Sequence, residues 1–231
     1  MDLLLDSLQS ALYLLWSLDP ELYFIIYVSL KVSFSSTLIA SLLGVPSGFF
    51  IAFKEFRGKR LIITILNSML AIPTVVIGLL VYAFLTRRGL LGTLDLLYTQ
   101  RAIVIGQVIL IFPIVASFTN SAIAQIDDRY RKTAMTLGAT PLQTAIVIFR
   151  EARFGVIAAI IASFGRVIAE VGISMMLGGN AKGYTRTMTT AMALEYDKGE
   201  FVLSVALGMI LLCIAFSMNI FFNYLQGRGR A

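Results

Sequence analysis

Apolar residues dominate the chain in five long runs, which short polar stretches separate. A helix needs roughly 20 apolar residues to cross a hydrocarbon core of about 30 Å, and each run is long enough. The runs lack the alternation of apolar and polar residues that a membrane β-strand requires. The pattern therefore predicts an all-α, polytopic transmembrane protein, a single domain of residues 1–231, whose five spans lie near 22–53, 61–85, 102–126, 154–178 and 200–225.

Composition and charge agree with a membrane protein. Of the 231 residues, 58% are hydrophobic and only 14% are charged. These are too few polar residues to cover the hydrophobic core of a globular protein in water. The net charge of +6 does not indicate nucleic acid, because most basic residues fall in the loop 54–60, the segment 127–153 and the tail with Arg228 and Arg230. By the positive-inside rule these segments are cytoplasmic, so the C-terminus is inside and the N-terminus outside.

Residues 1–20 precede the first long run and are short for a membrane crossing. Their apolar residues recur at helical spacing, and Trp16 is suited to the depth of the lipid headgroups. This pattern predicts a helix that lies in the membrane interface. A sixth span is the alternative.

The polar segment 127–153 interrupts two apolar runs and is longer than a simple connection requires. Its first part has helical character, Gly138 is free to adopt a positive φ, and Pro141 after Thr140 suits the first turn of a second helix. The pattern predicts helix, glycine turn, helix at the cytoplasmic membrane face. Such helices, flanked by basic residues, can lie on lipid or bind a soluble partner.

Two polar features lie inside the predicted spans. Pro73 removes a backbone donor and Thr74 follows it, so this region either lines a polar route or is a kinked packing helix. Arg166 and Glu170 are one helical turn apart, and charges at membrane depth must face protein or water. They predict an ion pair that either joins helices or lies beside a pathway as a gate.

The external loop 179–199 is rich in threonine, glycine and charge. Its hydroxyl and basic groups can attract an anion or an external protein, and a solvated loop is the simpler alternative. The side chains concerned are Thr185, Thr187, Thr189, Thr190, Lys182 and Arg186.

The residue types exclude several chemistries. Histidine is absent and Cys213 is the single cysteine, so neither a structural zinc site nor an intrachain disulfide is expected. The sequence also contains no G-x-x-x-x-G-K-[ST] phosphate-binding loop. We therefore expect a protein that is not an enzyme, binds no cofactor or metal itself, and leaves nucleotide chemistry to other polypeptides.

The segment around Gly138 resembles the cytoplasmic EAA loop of ABC-importer permeases, whose pattern is EAA, three residues, Gly, nine residues and I-x-LP. Ala134, Gly138 and Ile148 match, whereas Lys132-Thr133 and Arg150-Glu151 depart from the pattern. The segments IPTVVIGLLVY, GRVIAEVGISMMLGGN and GYTRTMTTAMALEYDKGEF are similar to oxyanion importer permeases, most of all to tungstate permeases. By this resemblance the chain is identified as a member of the type I ABC importer permeases.

The resemblance implies a function. Two copies of the chain would form an alternating-access pathway for an oxyanion, tungstate or molybdate, in a prokaryotic cell membrane. Two ABC ATPase subunits would bind ATP and Mg²⁺ and contact the segment 127–153, and an external binding protein would deliver the substrate. The candidate ATPase-coupling residues are Thr133, Ala134, Leu137, Gly138, Ala139 and Thr140. The candidate pathway or gate residues are Pro73, Thr74, Arg166, Glu170, Ser174 and Asn180.

Besides the importer permease, two other functional classes are alternatives. In an ATP-independent anion channel or ion-coupled carrier, the pair of Arg166 and Glu170 would respond to substrate or protons, and the segment 127–153 would be an interfacial helix. The third class is a membrane enzyme or assembly factor, against which the absence of histidine and of a cysteine cluster argues. Transport without ATPase subunits would favour the channel or carrier.

Overall fold

The computed structural model describes residues 2–17 and 19–227, and the regular structure in these residues is helical throughout. Ten α-helices follow one another in this part of the chain, with a 3₁₀ turn at Gly92–Leu94. The predicted all-α fold is confirmed. The helices are α1 Asp2–Trp16, α2 Pro20–Phe53, α3 Lys59–Met69, α4 Thr74–Leu85, α5 Gln100–Ala124, α6 Asp128–Thr136, α7 Pro141–Ile168, α8 Gly172–Gly178, α9 Met188–Asp197 and α10 Phe201–Gly227.

Three helices in the described residues are each long and apolar enough to cross a membrane, namely α2, α5 and α10. Two bent pairs, α3 with α4 and α7 with α8, raise the number to five if each pair is one span. The number and order of the predicted spans therefore agree with the structure. Two of them, however, are not the continuous helices that their apolar runs indicate.

A side-chain cap and a proline determine where α2 begins. The helix is longer than a perpendicular crossing of the membrane requires. Asp19 caps the helix by accepting a hydrogen bond from the N–H of Glu21 at 2.8 Å, and Pro20 occupies the first turn. At about 1.5 Å per residue, the 34 residues of α2 extend about 50 Å, beyond the hydrocarbon core of about 30 Å. The helix must therefore tilt in the bilayer or project from it.

Helix α5 is the centre of the fold and packs against α2, α3, α4, α7 and α8. Two glycines of α2 allow its close approach. A Cβ at Gly44 would lie 2.9 Å from Cβ of Val115, and one at Gly48 would collide with the carbonyl of Ala116. Small residues are a common means of bringing membrane helices together, and here they bring α2 against the central helix.

The second apolar run is broken rather than kinked. The axes of α3 and α4 differ by 100° across the residues that separate Met69 from Thr74. Pro73 has an extended backbone, with φ −61° and ψ 133°, and has no N–H with which to continue α3. The predicted span over 61–85 thus consists of two helices, and the region at Pro73 is broken, as one of the two interpretations of this proline requires, rather than kinked within a packing helix.

The fourth run differs from the prediction at both ends. Helix α7 begins at Pro141, inside the polar segment, and continues without interruption to Ile168. The second helix of that segment is thus the start of a membrane span and not a separate short helix. After Ile168 the chain leaves the helix, and α8 resumes at Gly172 with a bend of 60°.

The N-terminal residues form the predicted helix. Helix α1 packs against α10, and Trp16 at its end is exposed. Its 15 residues extend about 22 Å, less than the thickness of the hydrocarbon core. A position in the membrane interface stays a prediction, as does the sixth span. The predicted cytoplasmic tail with Arg228 and Arg230 lies outside the described residues.

Candidate functional site

A tight turn joins α6 to α7. Gly138 follows the end of α6 and adopts the left-handed conformation, with φ 82°. The N–H of Ala139 donates to the carbonyl of Ala134, and the N–H of Gly138 donates to the carbonyl of Met135, both at 3.0 Å. This is a Schellman motif, which satisfies the last carbonyls of a helix and favours glycine at the position with positive φ. The predicted glycine turn is confirmed.

Helix α7 begins directly after this turn with a capping box. The Thr140 hydroxyl accepts a hydrogen bond from the N–H of Gln143 at 3.4 Å, and Gln143 Oε1 accepts one from the N–H of Thr140 at 2.8 Å. Pro141 occupies the first turn, where no intrahelical donor is needed. Local bonds therefore fix the direction in which α7 leaves the turn.

Most of the candidate coupling side chains face outward. Leu137 is 81% exposed, and its neighbour Met135 is 61% exposed. Ala134 is buried and Ala139 is half-buried, so these two offer little surface. The exposed candidates are Thr133, Leu137, Gly138 and Thr140. The turn thus exposes two apolar side chains and the hydroxyl-bearing residues Thr133 and Thr140, a surface suited to a partner protein.

A groove of about 570 Å³ lies between α6 and the first turns of α7. Ala134 contributes to the groove, so a partner side chain that entered it would reach this residue despite its low exposure. The groove is lined by Asp127, Arg129, Tyr130, Thr133, Ala134, Leu137 and Val147. The surface of the turn is therefore partly convex, at Leu137, and partly concave, beside Ala134.

Apolar residues anchor the first part of α7 to the other helices. Ile148 and Ala152 of α7 form a buried cluster with Ile123 of α5. Phe49 and Phe53 of α2 pack against this cluster. Ile148, which matches the EAA pattern, is 7% exposed, so it holds α7 in place and does not face a partner.

Two further contacts attach α6 to the same anchor. The Tyr130 hydroxyl donates to Glu151 Oε1 at 3.2 Å. The negative charge of Glu151 and this hydrogen bond raise the pKa of Tyr130 above its ordinary value. Arg131 lies over the ring of Phe53, 5.0 Å from the centroid. Sequence reasoning missed both contacts, because nothing in the local pattern pairs these residues.

The breaks in the two bent spans meet each other. Helix α8 packs against α4, and a Cβ at Gly78 of α4 would lie 2.7 Å from the sulfur of Met176. Gly172, the first residue of α8, lies at the contact itself. A Cβ there would be 3.4 Å from Thr74 Oγ1 and 3.4 Å from Glu170 Oε1. The structure thus brings together Thr74 and Glu170, two candidates from separate spans. We call this region the broken-span junction.

Glu170 is a buried carboxylate with a half-exposed partner. Its Oε2 lies 2.8 Å from Nη1 of Arg166, and the two side chains are 3% and 43% exposed, respectively. Its Oε1 accepts the N–H of Ile173 at 3.3 Å. The ion pair forms as predicted, but the two residues do not share a helix, because α7 ends at Ile168.

The backbone carbonyl of Glu170 stabilises the break. It accepts hydrogen bonds from the hydroxyls of Ser174 at 3.3 Å and Thr189 at 2.9 Å. Because hydroxyl groups satisfy this carbonyl, it can leave the helical ladder without being buried unpaired. Ser174 is 1% exposed, so in this structure its hydroxyl serves the break and does not face an open route.

The external segment 179–199 is not a solvated loop. Four of its threonines are between 0% and 6% exposed, namely Thr185, Thr187, Thr189 and Thr190. Helix α9 begins within the segment, with Thr187 as its N-cap in a capping box with Thr190. The solvated-loop interpretation is therefore wrong for the threonines, whereas residues 181–184 and 196–199 are exposed. The hydroxyl groups hold the segment in place.

Long-range bonds attach the start of α9 to two membrane spans. The N–H of Met188 donates to Ser29 Oγ of α2 at 2.7 Å, and the Thr189 hydroxyl reaches the Glu170 carbonyl. Ser29 was missed by sequence reasoning. Its only signal was a polar residue inside the apolar run 22–53.

The basic residues of the external segment are partly neutralised within the chain. Lys182 Nζ lies 2.7 Å from Glu21 Oε2, and Arg186 Nη1 lies 3.3 Å from Glu21 Oε1. Arg186 is also largely buried, with its side chain 14% exposed. These cations therefore attract an incoming anion less than the sequence alone suggests.

Residues 44–230 match a family model described as the inner membrane component of binding-protein-dependent transport systems. The chain belongs to this family. It is the membrane-spanning component of such a system, which does not favour the channel or carrier alternative.

Individual relatives match over nearly the whole chain. The tungstate uptake system permease protein TupB of Peptoclostridium acidaminophilum is 38% identical over 226 residues, which cover 98% of this chain and 99% of that protein. TupB of Campylobacter jejuni is 38% identical over 219 residues, with 95% and 92% covered. The molybdenum transport system permease protein ModB of Escherichia coli is 29% identical over 217 residues, with 85% and 93% covered.

Solved structures show the same fold. The MetNI methionine ABC transporter in an inward-facing conformation matches with a TM-score of 0.72 at 18% identity, over 91% of this chain and 98% of that chain. A bacterial ABC transporter involved in the import of alginate matches with a TM-score of 0.74 at 17% identity, over 89% and 79%. The fold of the type I ABC importer permeases, predicted from the sequence, is confirmed.

In this permease the candidate pathway residues separate into two places. Those at or beside the broken-span junction are Pro73, Thr74, Arg166, Glu170 and Ser174. Asn180 lies apart in the external segment, where its Nδ2 donates to the carbonyl of Thr190 at 3.2 Å. Within the described residues, no group of three or more His, Cys, Asp and Glu side chains is placed to hold a metal ion. The pathway roles stay predictions.

Proposed function

We propose that two copies of this permease enclose a transport pathway for an oxyanion, tungstate in the first place and molybdate in the second. The similarity to two TupB proteins, at 38% identity over 98% and 95% of the chain, carries the choice of substrate. ModB of Escherichia coli is less similar, at 29%. An external binding protein delivers the oxyanion to the side that carries the segment 179–199.

Separate subunits supply the energy. The chain has no phosphate-binding loop, so ATP and Mg²⁺ bind to two ABC ATPase subunits. These subunits contact the turn between α6 and α7. Leu137 projects into the ATPase surface, and an ATPase side chain enters the groove beside Ala134. The exposure of Leu137, at 81%, and the size of the groove support this contact.

Helix α7 carries the coupling from the turn to the membrane. An ATPase can shift the permease between states only if it binds one state more tightly than the other, so the turn must move with the spans. Because α7 runs unbroken from Pro141 to Ile168, it links the turn directly to the broken-span junction. Its 28 residues extend about 42 Å, enough to reach across the membrane core.

The gate lies where α7 ends. Glu170 lies two residues after the end of the helix. Its carboxylate forms an ion pair with Arg166, and its backbone carbonyl accepts a hydrogen bond from the Thr189 hydroxyl. A displacement of α7 would change both contacts together, since Arg166 belongs to α7 and Thr189 belongs to the external segment. The pair of Arg166 and Glu170 therefore opens or closes the pathway in step with the ATPase.

The protein lies in a prokaryotic cell membrane with its N-terminus outside and its C-terminus in the cytoplasm. The basic loop 54–60 and the segment 127–153 support this orientation, because they lie at the same end of the molecule, where Arg131 covers Phe53. The end of the molecule that meets the ATPase subunits is then cytoplasmic.

The substrate assignment is tested with the whole complex. The permease, its candidate ATPase and its binding protein are reconstituted, and ATP hydrolysis is measured with empty protein and with tungstate, molybdate or sulfate. Loaded binding protein should stimulate hydrolysis most with tungstate. Equal stimulation by sulfate would refute the substrate assignment, and stimulation by empty protein alone would refute substrate coupling.

A further inference from the structure

An apolar pocket of about 380 Å³ lies at the end of α2, apart from the coupling turn and the broken-span junction. It is lined by Val45, Pro46, Phe49, Phe50, Phe53, Lys54 and Phe149, so Lys54 is its single charged lining residue. Phe50 is 52% exposed and Phe149 is 38% exposed. The pocket therefore opens to the surroundings of the protein.

Aromatic contacts shape the walls of the pocket. Phe49 stacks on Phe53 with 5.4 Å between ring centroids, and the ring of Phe149 meets Phe49 edge-on at 5.8 Å. The walls thus join α2 to α7. All lining residues of α2 belong to its last turns, at the end of a helix long enough to cross the membrane. A pocket at the end of such a span would lie close to the boundary between the hydrocarbon core and the headgroups.

The rim of the pocket is positively charged. Lys54 Nζ lies 5.2 Å from the ring centroid of Phe50. Arg131 is not a lining residue, but its guanidinium lies 5.0 Å from the ring centroid of the lining residue Phe53. Among the described residues neither cation forms an ion pair with a carboxylate. The acidic residue next to Lys54 in the sequence, Glu55, is paired with Lys59 at 2.7 Å. An anionic group at the rim would meet uncompensated positive charge.

We infer that the pocket binds an anionic phospholipid, with an acyl chain among the phenylalanines and the phosphate against Lys54 and Arg131. A basic pocket between transmembrane helices at the cytoplasmic side suits such a lipid, because one ligand supplies both the hydrocarbon and the negative charge. The inference rests on the proposed function for the cytoplasmic orientation of this end. Because Arg131 belongs to α6, the bound phosphate would brace the coupling segment against α2.

Lipid binding is measured on the full-length permease with its ATPase partner in detergent, by native mass spectrometry. Phosphatidylglycerol and phosphatidylcholine with the same acyl chains are the probes. The permease should retain phosphatidylglycerol preferentially. Lys54→Gln should weaken this retention about fivefold, the usual contribution of one cation near anionic lipid. Arg57→Gln is the matched control, since it removes the same charge from the same loop but lies outside the pocket.

Two results would overturn the lipid site. Equal retention of both lipids would show that the negative charge of the headgroup does not contribute to binding. A loss of phosphatidylglycerol retention in Arg57→Gln as large as in Lys54→Gln would show a diffuse attraction without a defined site. Because binding is measured without transport, loss of lipid selectivity leaves the proposed function standing. Conversely, failure of tungstate to stimulate ATP hydrolysis leaves the lipid result standing.

A second experiment identifies the occupant in native membranes. Phe50→p-benzoylphenylalanine places a photoreactive group at the mouth of the pocket, and mass spectrometry identifies the adduct after irradiation. A phospholipid adduct is expected. An adduct with a second copy of this chain or with an ATPase subunit would show that protein covers the pocket, and would overturn the proposal.

Discussion

The coupling segment 127–153 and the external segment 179–199 are both polar stretches between membrane spans, yet they are built in opposite ways. Hydrogen bonds between near neighbours shape the coupling turn, and its side chains are largely exposed. In the external segment the threonine hydroxyls are buried, and some bond to residues far away in sequence. The difference agrees with the proposal that the first segment meets a partner, and it shows that the second holds parts of the permease together.

This comparison separates two kinds of mutational effect. Substitutions in the external segment, or in the broken-span junction to which it is bonded, should lower the stability of the permease. Substitutions of exposed side chains that keep the backbone of the coupling turn should leave stability almost unchanged and weaken the response to the ATPase. The four predictions below are ordered from the largest expected effect to the smallest.

Arg166→Gln should give the largest loss of stability. It leaves the Glu170 carboxylate without its counter-charge at 3% exposure, and breaking a buried ion pair in this way costs about 3 kcal/mol. Glu170→Gln should cost less, because it leaves a cation that is 43% exposed. Thermal unfolding in detergent measures both variants. A greater loss in Glu170→Gln than in Arg166→Gln would contradict the asymmetry.

Gly138→Pro should uncouple the complex without preventing membrane insertion. Proline cannot adopt the φ of 82°, and it removes the N–H that donates to Met135, so the turn must distort at a cost of about 3 kcal/mol. ATP hydrolysis should no longer respond to loaded binding protein. Gly58→Pro is the control, since Gly58 also has a positive φ, 92°, but lies outside the coupling segment. Unchanged stimulation in Gly138→Pro would count against the coupling role of the turn.

Thr189→Val should lower the unfolding free energy by about 0.5–1.5 kcal/mol, the usual contribution of one hydrogen bond. The substitution keeps the shape of the side chain and removes the hydroxyl that reaches the Glu170 carbonyl. Thr136→Val is the matched control in the coupling segment, where the hydroxyl is exposed and bonds only within its own helix, to Lys132. Equal shifts of the melting temperature in both variants would remove the distinction between the segments.

Leu137→Ser should have the smallest effect on stability, within about 0.5 kcal/mol, because the side chain is 81% exposed. It should nevertheless reduce the stimulation of ATP hydrolysis by loaded binding protein, since Leu137 is the most exposed apolar contact of the turn. Leu142→Ser, at 72% exposure on the first turn of α7, serves as the comparison. Full stimulation in Leu137→Ser would place the contact elsewhere.

The sequence predicted those features that short-range chemistry determines. The all-α fold follows from apolar runs that are long enough to span a membrane. The turn at Gly138 and the cap at Thr140 follow from residue types within a few positions of each other. The ion pair of Arg166 and Glu170 was also accessible, because both charges lie in one apolar run.

Features that depend on distant partners were not predicted. The bend between α3 and α4 and the bend between α7 and α8 depend on how these helices pack. The pattern of apolar residues is the same for a straight span and for a broken one, so it does not give the size of the bend. Thr189 reaches a carbonyl 19 residues away, and the N–H of Met188 reaches Ser29, 159 residues away. Composition alone made these threonines resemble a solvated loop, because a hydroxyl suits water as well as a buried acceptor.

Uptake of tungstate into vesicles tests the central claim most directly. Permease alone is compared with permease plus ATPase subunits, in both cases with loaded binding protein outside and with or without ATP inside. The account predicts uptake only when the ATPase subunits and ATP are both present. Rapid uptake by the permease alone, without nucleotide, would contradict it.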